Sequence, residues 1–118
     1  MSLIARYLEE HGVPTVMMAT ARDIVETCGV PRLLFVDFPL GNPCGEPYDG
    51  PQQHRLLEQA LTLLETATGP RTTVDAGVRW SNGDDWKALV FTAAQPYLSG
   101  ADHDEWIARK QAYRDLRK

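Results

Sequence analysis

Cysteine and histidine are scarce in this sequence, two of one and three of the other among 118 residues. Cys28 and Cys44 are too few for a disulfide framework. With no C-x-x-C and with His11, His54 and His103 scattered along the chain, they do not spell a zinc site, and no cofactor is expected. Thiols without partners suit a reducing compartment, so the expectation is a cytoplasmic protein. Long apolar runs are lacking too: none nears the ~20 residues of a membrane helix. The opening MSLIARYLEEHG has neither the basic start nor the apolar stretch of a signal peptide. Positive charge is in short supply, with 12 Lys and Arg against 16 Asp and Glu and a net charge of −4. That balance excludes nucleic acid as the main partner, because phosphate backbones demand clustered cations. The one basic cluster, RKQAYRDLRK, suits the end of a helix, where cations meet the negative end of the dipole.

What is present reads as one ordinary globular domain, 43% hydrophobic and 24% charged. SLIARYLEEHG predicts a first helix with Leu3, Ile4, Tyr7 and Leu8 on one face, stopped by Gly12. VPTVMMAT, apolar on both faces, predicts a strand buried between two layers. Thr20 is placed to cap a short helix, ARDIVETCG. PRLLFVDF predicts a second buried strand from about Arg32 to Phe38. Pro51 opens a long helix in which Leu56, Leu57, Ala60, Leu61 and Leu64 recur at helical spacing, with Gly69 beyond its end.

Helix, strand, helix, strand, helix is an α/β pattern. It predicts a small parallel sheet with helices on both faces, built on a βαβ core like half of a Rossmann or flavodoxin fold, with a right-handed crossover. Residues 1–70 carry that core. Residues 71–118 read as an irregular extension ending in a helix, part of the same domain or an interface. Two parallel strands do not stand alone. A third must come from TTVDAGVRW, from WKALVFTA, where KALVFTA is the favoured choice, or from another chain. In the last helix, Asp102 and Glu105 form a capping pair, and Trp106, Ile107, Tyr113 and Leu116 a thin apolar stripe.

The most informative stretch is FVDFPLGNPCGEP, an apolar strand running into a loop of three prolines, two glycines, an asparagine and a cysteine. In parallel sheets ligands bind where loops leave the carboxyl ends of the strands. Two loops lie there, MATARD and DFPLGNPCGEPYDG, and strand pairing would make them neighbours. Proline fixes φ, while Gly41 and Gly45 permit turns closed to other residues, so the second loop is stiff. Thr20 and Asp23 are either anion-holding residues at a helix start or an ordinary cap. Asn42 is a ligand donor or a turn residue, and Asp37 is loop-fixing or site-lining. Cys44 is a redox or nucleophilic thiol or an incidental small residue. Cys28 reads as packed, and His54 as a proton carrier or a surface residue. RWSNGDDW is a substrate lip, a partner contact or a plain surface turn.

The run from RYLEEHGVPTVMMAT through VPRLLFVDFPLGNPCGEP to QQHRLLEQALTLLETA resembles the C-terminal part of the selenoprotein B family. These are the substrate-processing subunits of glycine, sarcosine and betaine reductases, with D-proline reductase as a relative. FPLGNP at the end of a buried strand is the most specific marker, and the resemblance spans about residues 5–68. It implies reductive cleavage by a selenolate or thiolate. In the family that group lies in a Cys-rich turn just before the helix matching residues 2–12, an element this sequence does not show, and Ala19 stands where members may carry cysteine. The expectation is therefore a reductase component whose MATARD and DFPLGNPCGEP loops, with Thr20, Asp23, Asp37, Gly41, Asn42, Cys44 and Gly45, complete a site on a second subunit carrying the redox Cys or Sec. A homo-oligomer and a non-catalytic assembly subunit that keeps the fold are the alternatives.

Overall fold

The computed structural model describes residues 1–89 and 100–115, apart from the side chains of Leu89 and Tyr113. It divides into two compact units, Met1–Asp84 and Asp85–Lys118. The first runs α1 (Ser2–Glu10), β1 (Met17–Ala19), α2 (Arg22–Thr27), β2 (Arg32–Phe35), α3 (Gly50–Thr66) and β3 (Thr72–Asp75). The three strands are parallel in the order β1-β2-β3, with Met18, Leu34 and Val74 in register. This is the small α/β fold with a parallel sheet that the apolar pattern predicts.

The third strand comes from TTVDAGVRW, so the sheet reaches past residue 70. The favoured choice, KALVFTA, does not supply it: Lys87 to Leu89 belong to a 3-10 helix, Asp85–Leu89, and the remainder lies outside the described residues. β1 is three residues long and only half-buried, shorter and wetter than VPTVMMAT suggests. As an edge strand it has a neighbour on one side only, so its flanks are less covered than those of β2.

Side chains alternate across the sheet, and the two faces are filled from different helices. Leu34, Val36 and Phe38 meet Leu56, Ala60 and Leu63 of α3 in the main core. On the other face Leu33 meets Val25 of α2 and Val30, with Met17, Ala19 and Phe35 alongside. The chain steps in one direction from β1 to β2 to β3, yet α2 and α3 lie on opposite faces. The two crossovers therefore have opposite hands, and one of them departs from the right-handed rule. The departure involves short elements, since α2 has six residues and the strands three or four.

Two helical stripes are rotated from their expected settings. On α3 the buried residues are Gln52, Leu56, Ala60 and Leu63, while Leu57 and Leu61 are half exposed. On α1 only Ala5 is buried; Leu3, Ile4 and Tyr7 face outward. Glu9, on the same side of the helix as Ala5 one turn on, reaches the sheet instead: Arg32 Nη1 donates to its carboxylate at 2.7 Å and the Thr15 amide at 2.7 Å.

In the second unit α4 spans Gly100–Asp115. Asp102 sits inside its first turn, a place where a carboxylate complements the helix dipole, not at the cap. Trp106 and Ile107 are nearly half exposed, and Lys110 Nζ lies 4.5 Å over the Trp106 ring. The side chain of Tyr113 and all of Leu116 lie outside the described residues. Among the described residues no helix is long and apolar enough to cross a membrane.

Candidate functional site

The carboxyl ends of β1 and β2 lie side by side, because Ala19 pairs with Phe35 and the Val36 amide donates to the Ala19 carbonyl at 2.9 Å. The loops leaving them, Thr20–Ala21 and Val36–Asp49, are thereby neighbours. The second loop is built from successive tight turns. Phe38 N–H closes on the Val36 carbonyl, Asn42 N–H on Pro39, Gly45 N–H on Asn42 and Asp49 N–H on Glu46. Asn42 also donates its Nδ2 to the Pro39 carbonyl at 3.2 Å, so its side chain serves the turn.

The loop is then tied down at both ends of its second half. Gln52, buried in the first turn of α3, accepts from the Glu46 amide at 2.8 Å, and Gln53 donates to the Glu46 carbonyl at 2.6 Å. Asp49 caps α3 by accepting from the Gln52 amide at 3.0 Å. Glu46 uses its carboxylate on another segment, accepting from Ser81 N–H at 2.7 Å and Ser81 Oγ at 2.6 Å. Next to Ser81, Trp80 packs edge-on against Phe38 with ring centroids 5.1 Å apart. The RWSNG part of RWSNGDDW is thus a strap that braces the loop.

Gly45 explains how closely this loop seats. It is buried with φ +112°, and a Cβ there would stand 3.0 Å from Gln53 Cγ, 3.2 Å from Gln52 Oε1 and 3.3 Å from Leu56 Cδ1. Gly41, at φ +97°, has open space around it and is needed for its backbone alone.

Cys44 is exposed and lines a concavity of about 360 Å3 with Met18, Gly50, Gln53, His54 and Leu57. This hollow lies on the α3 face beside β1, one of the two outer strands of the sheet. His54 Nε2 stands 3.2 Å from Glu58 Oε1, one turn along α3. Both side chains are largely exposed, so this is a surface ion pair, present when the imidazole is protonated. Thiol and imidazole therefore line one hollow, with the Glu58 carboxylate outside its lining. What the geometry offers there is an exposed free thiol and an imidazole in one concavity.

The residues expected on the first loop are less engaged. Thr20 does not cap α2: the cap position is Ala21, with no side-chain hydrogen bond. The helix starts one residue later than ARDIVETCG suggests, so the hydroxyl is out of register with the free amides. Asp23 is exposed in the first turn of α2. Asp37 is half-buried between Val36 and Phe38. Cys28 is half-buried at the end of α2, its carbonyl facing Arg6.

Sequence reasoning overlooked Glu46, Gln52, Ser81 and the pairing of His54 with Glu58. A signal existed for Gln52, a polar residue at i−4 from Leu56 on the stripe that α3 buries. Ser81, 35 residues from Glu46, gave none. Among the described residues no group of three or more His, Cys, Asp or Glu is arranged to hold a metal ion. The chain matches no protein-family model, no curated protein and no solved structure.

Proposed function

We propose that this chain is a component of a cytoplasmic, selenoprotein B-like reductase of the glycine, sarcosine, betaine or D-proline reductase type. It supplies the loops after β1 and β2 to a site whose redox cysteine or selenocysteine lies on another chain. The observation that carries this reading is the hollow beside β1, where an exposed thiol, Cys44, on a loop braced by α3 and by Ser81, stands with His54 of α3. A stiff loop holds reacting groups in place at little entropic cost. In this reading Cys44 provides the thiol on this side of the site and His54 transfers protons to and from it. The half-exposed Leu57 lines the hollow and, with Leu61 one turn further along α3, offers an apolar seat for the second subunit.

The test is affinity purification from the native cells, with mass spectrometry of stoichiometric partners and an assay of amine release by the complex. A partner bearing a Cys- or Sec-containing turn is expected. In that complex Cys44→Ser and His54→Gln are expected to lower turnover by about a hundredfold or more with assembly unchanged. A clean homo-oligomer, or full turnover in the Cys44→Ser complex, refutes it. The second reading, a non-catalytic assembly subunit, is favoured by one fact: Asn42 and Gly45 are already used in folding the loop. Under it, Leu57→Glu or Trp106→Ala breaks the assembly while Cys44→Ser changes nothing.

A further inference from the structure

At the opposite end of the sheet, where β2 and β3 begin, lies a second concavity of about 450 Å3. It is bounded by α1, the turn entering β2 and the turn entering β3. Three arginines line it, and they are not equivalent. Arg32 is neutralised by Glu9 at 2.7 Å, and the guanidinium keeps the Glu9 carboxyl below its usual range, so both stay charged. Even so, the Arg32 Nε–H is buried with no acceptor among the described residues. A buried donor without an acceptor asks for a water or an ion.

The other two guanidiniums have no carboxylate partner among the described residues. Arg6 makes one contact at the limit of hydrogen bonding, Nη1 to the Cys28 carbonyl at 3.5 Å. Arg71 makes no side-chain hydrogen bond among the described residues, although it also borders a smaller hollow with Glu26, and its position is built. Its backbone is left-handed, φ +58°, an unusual state for arginine. Its guanidinium lies against Gly29, where an added Cβ would come within 3.1 Å of Nη2. Glu10, exposed on the rim, is the remaining carboxylate of the lining, so three guanidiniums face two acids.

We propose that this concavity binds a small dianion, a phosphate- or dicarboxylate-bearing metabolite, held between Arg6 and Arg71. The planar fork of guanidinium donors matches both anions bidentately, and the volume is that of a metabolite site. The site lies across the sheet from the Cys44 hollow. It does not depend on the reductase reading, and it fits a regulatory ligand, since the loops at the carboxyl ends are elsewhere.

The experiment is calorimetric titration of the full chain at low ionic strength with inorganic phosphate and, separately, with succinate. Sodium chloride at matched ionic strength is the control for screening. Saturable one-to-one binding of at least one dianion is expected, and the tighter of the two names the ligand class. Arg6→Gln and Arg71→Gln should each weaken it on the order of tenfold, the loss of one charged hydrogen-bonded contact, and the double variant should abolish it. Arg22→Gln, which removes an exposed arginine of α2, should leave it unchanged. Arg6 is exposed on α1, so its variant stays folded even if Arg71→Gln does not. The proposal is overturned if neither anion saturates, or if the Arg6→Gln chain binds as tightly as the parent.

Discussion

α3 covers its face of the sheet with Leu56, Ala60 and Leu63, is capped by Asp49, and is bonded to the preceding loop through Gln52 and Gln53. α2 covers the other face with Val25 as its one buried residue, and no side chain caps it. The loop that enters α3 inherits the rigidity of the helix, so a thiol at Cys44 is held where it stands. The loop that enters α2, Thr20–Ala21, supplies no side-chain cap, and Asp23 lies exposed in the first turn of the helix.

The largest test of that contrast is core truncation. Leu56→Ala is expected to cost about 3 kcal/mol in denaturant unfolding, because Leu56 is fully buried at the centre of the main core. Val25→Ala removes less from a smaller cluster and should cost about 1 kcal/mol. Equal costs would mean that the two faces are equally held.

Next comes the loop itself. Gly45→Ala combines a positive φ with three contacts inside van der Waals distance, and about 2 kcal/mol of destabilisation is expected. Gly41→Ala shares the backbone penalty without the contacts and should cost about 1 kcal/mol. The difference between them measures how firmly the loop is pressed onto α3. Thermal melts that shift equally would show that packing on α3 contributes nothing.

α1 sharpens the comparison, since its tie to the sheet is electrostatic. Donation from Arg32 lowers the Glu9 pKa, helped by the Thr15 amide and opposed by burial. A carboxyl whose folded pKa is depressed adds stability above its unfolded pKa, and that stability fades as pH falls through the lowered folded value. Glu9→Gln should therefore cost about 1 kcal/mol at pH 7. The gap to the parent chain should persist down to the ordinary carboxylate range near pH ~4.3, close below it, and shrink in high salt. A gap that is the same at pH 7 and pH 3 would assign the cost to packing.

The smallest effect is a gain. Ala21 at the start of α2 has φ −109° and ψ 79°, close to the −93° and 75° of Asp49, which caps α3. Ala21→Asp should therefore form the missing cap and add about 0.5–1 kcal/mol, read as a higher melting temperature. No gain would mean that the start of α2 is set by the sheet and not by its own free amides.

Much of this was legible from local chemistry. The continuous apolar runs of β1 and β2 and the Pro-led helix α3 follow from periodicity and caps, which act within a few residues. The turns of PLGNPCGEP follow in the same way from proline, glycine and asparagine. What escaped was long-range. Which face of α1 turns inward depends on Glu9 finding Arg32, 23 residues away. The brace on the loop depends on Glu46 finding Ser81, 35 residues on. The choice of TTVD over KALVFTA as third strand was open because both are short and β-prone, and only the free edge of β2 selects between them.

The sequence by itself determined an α/β chain, acidic overall, with a rigid loop bearing one thiol at the end of a buried strand. Tertiary structure alone decided that α2 and α3 take opposite faces, that Cys44 shares a hollow with His54, and that Arg6 and Arg71 line one concavity at the far end of the sheet. The reason is physical. Propensity, turn chemistry and capping are properties of neighbours in the chain, whereas partners across a sheet are chosen by how buried surface and charge can be satisfied together.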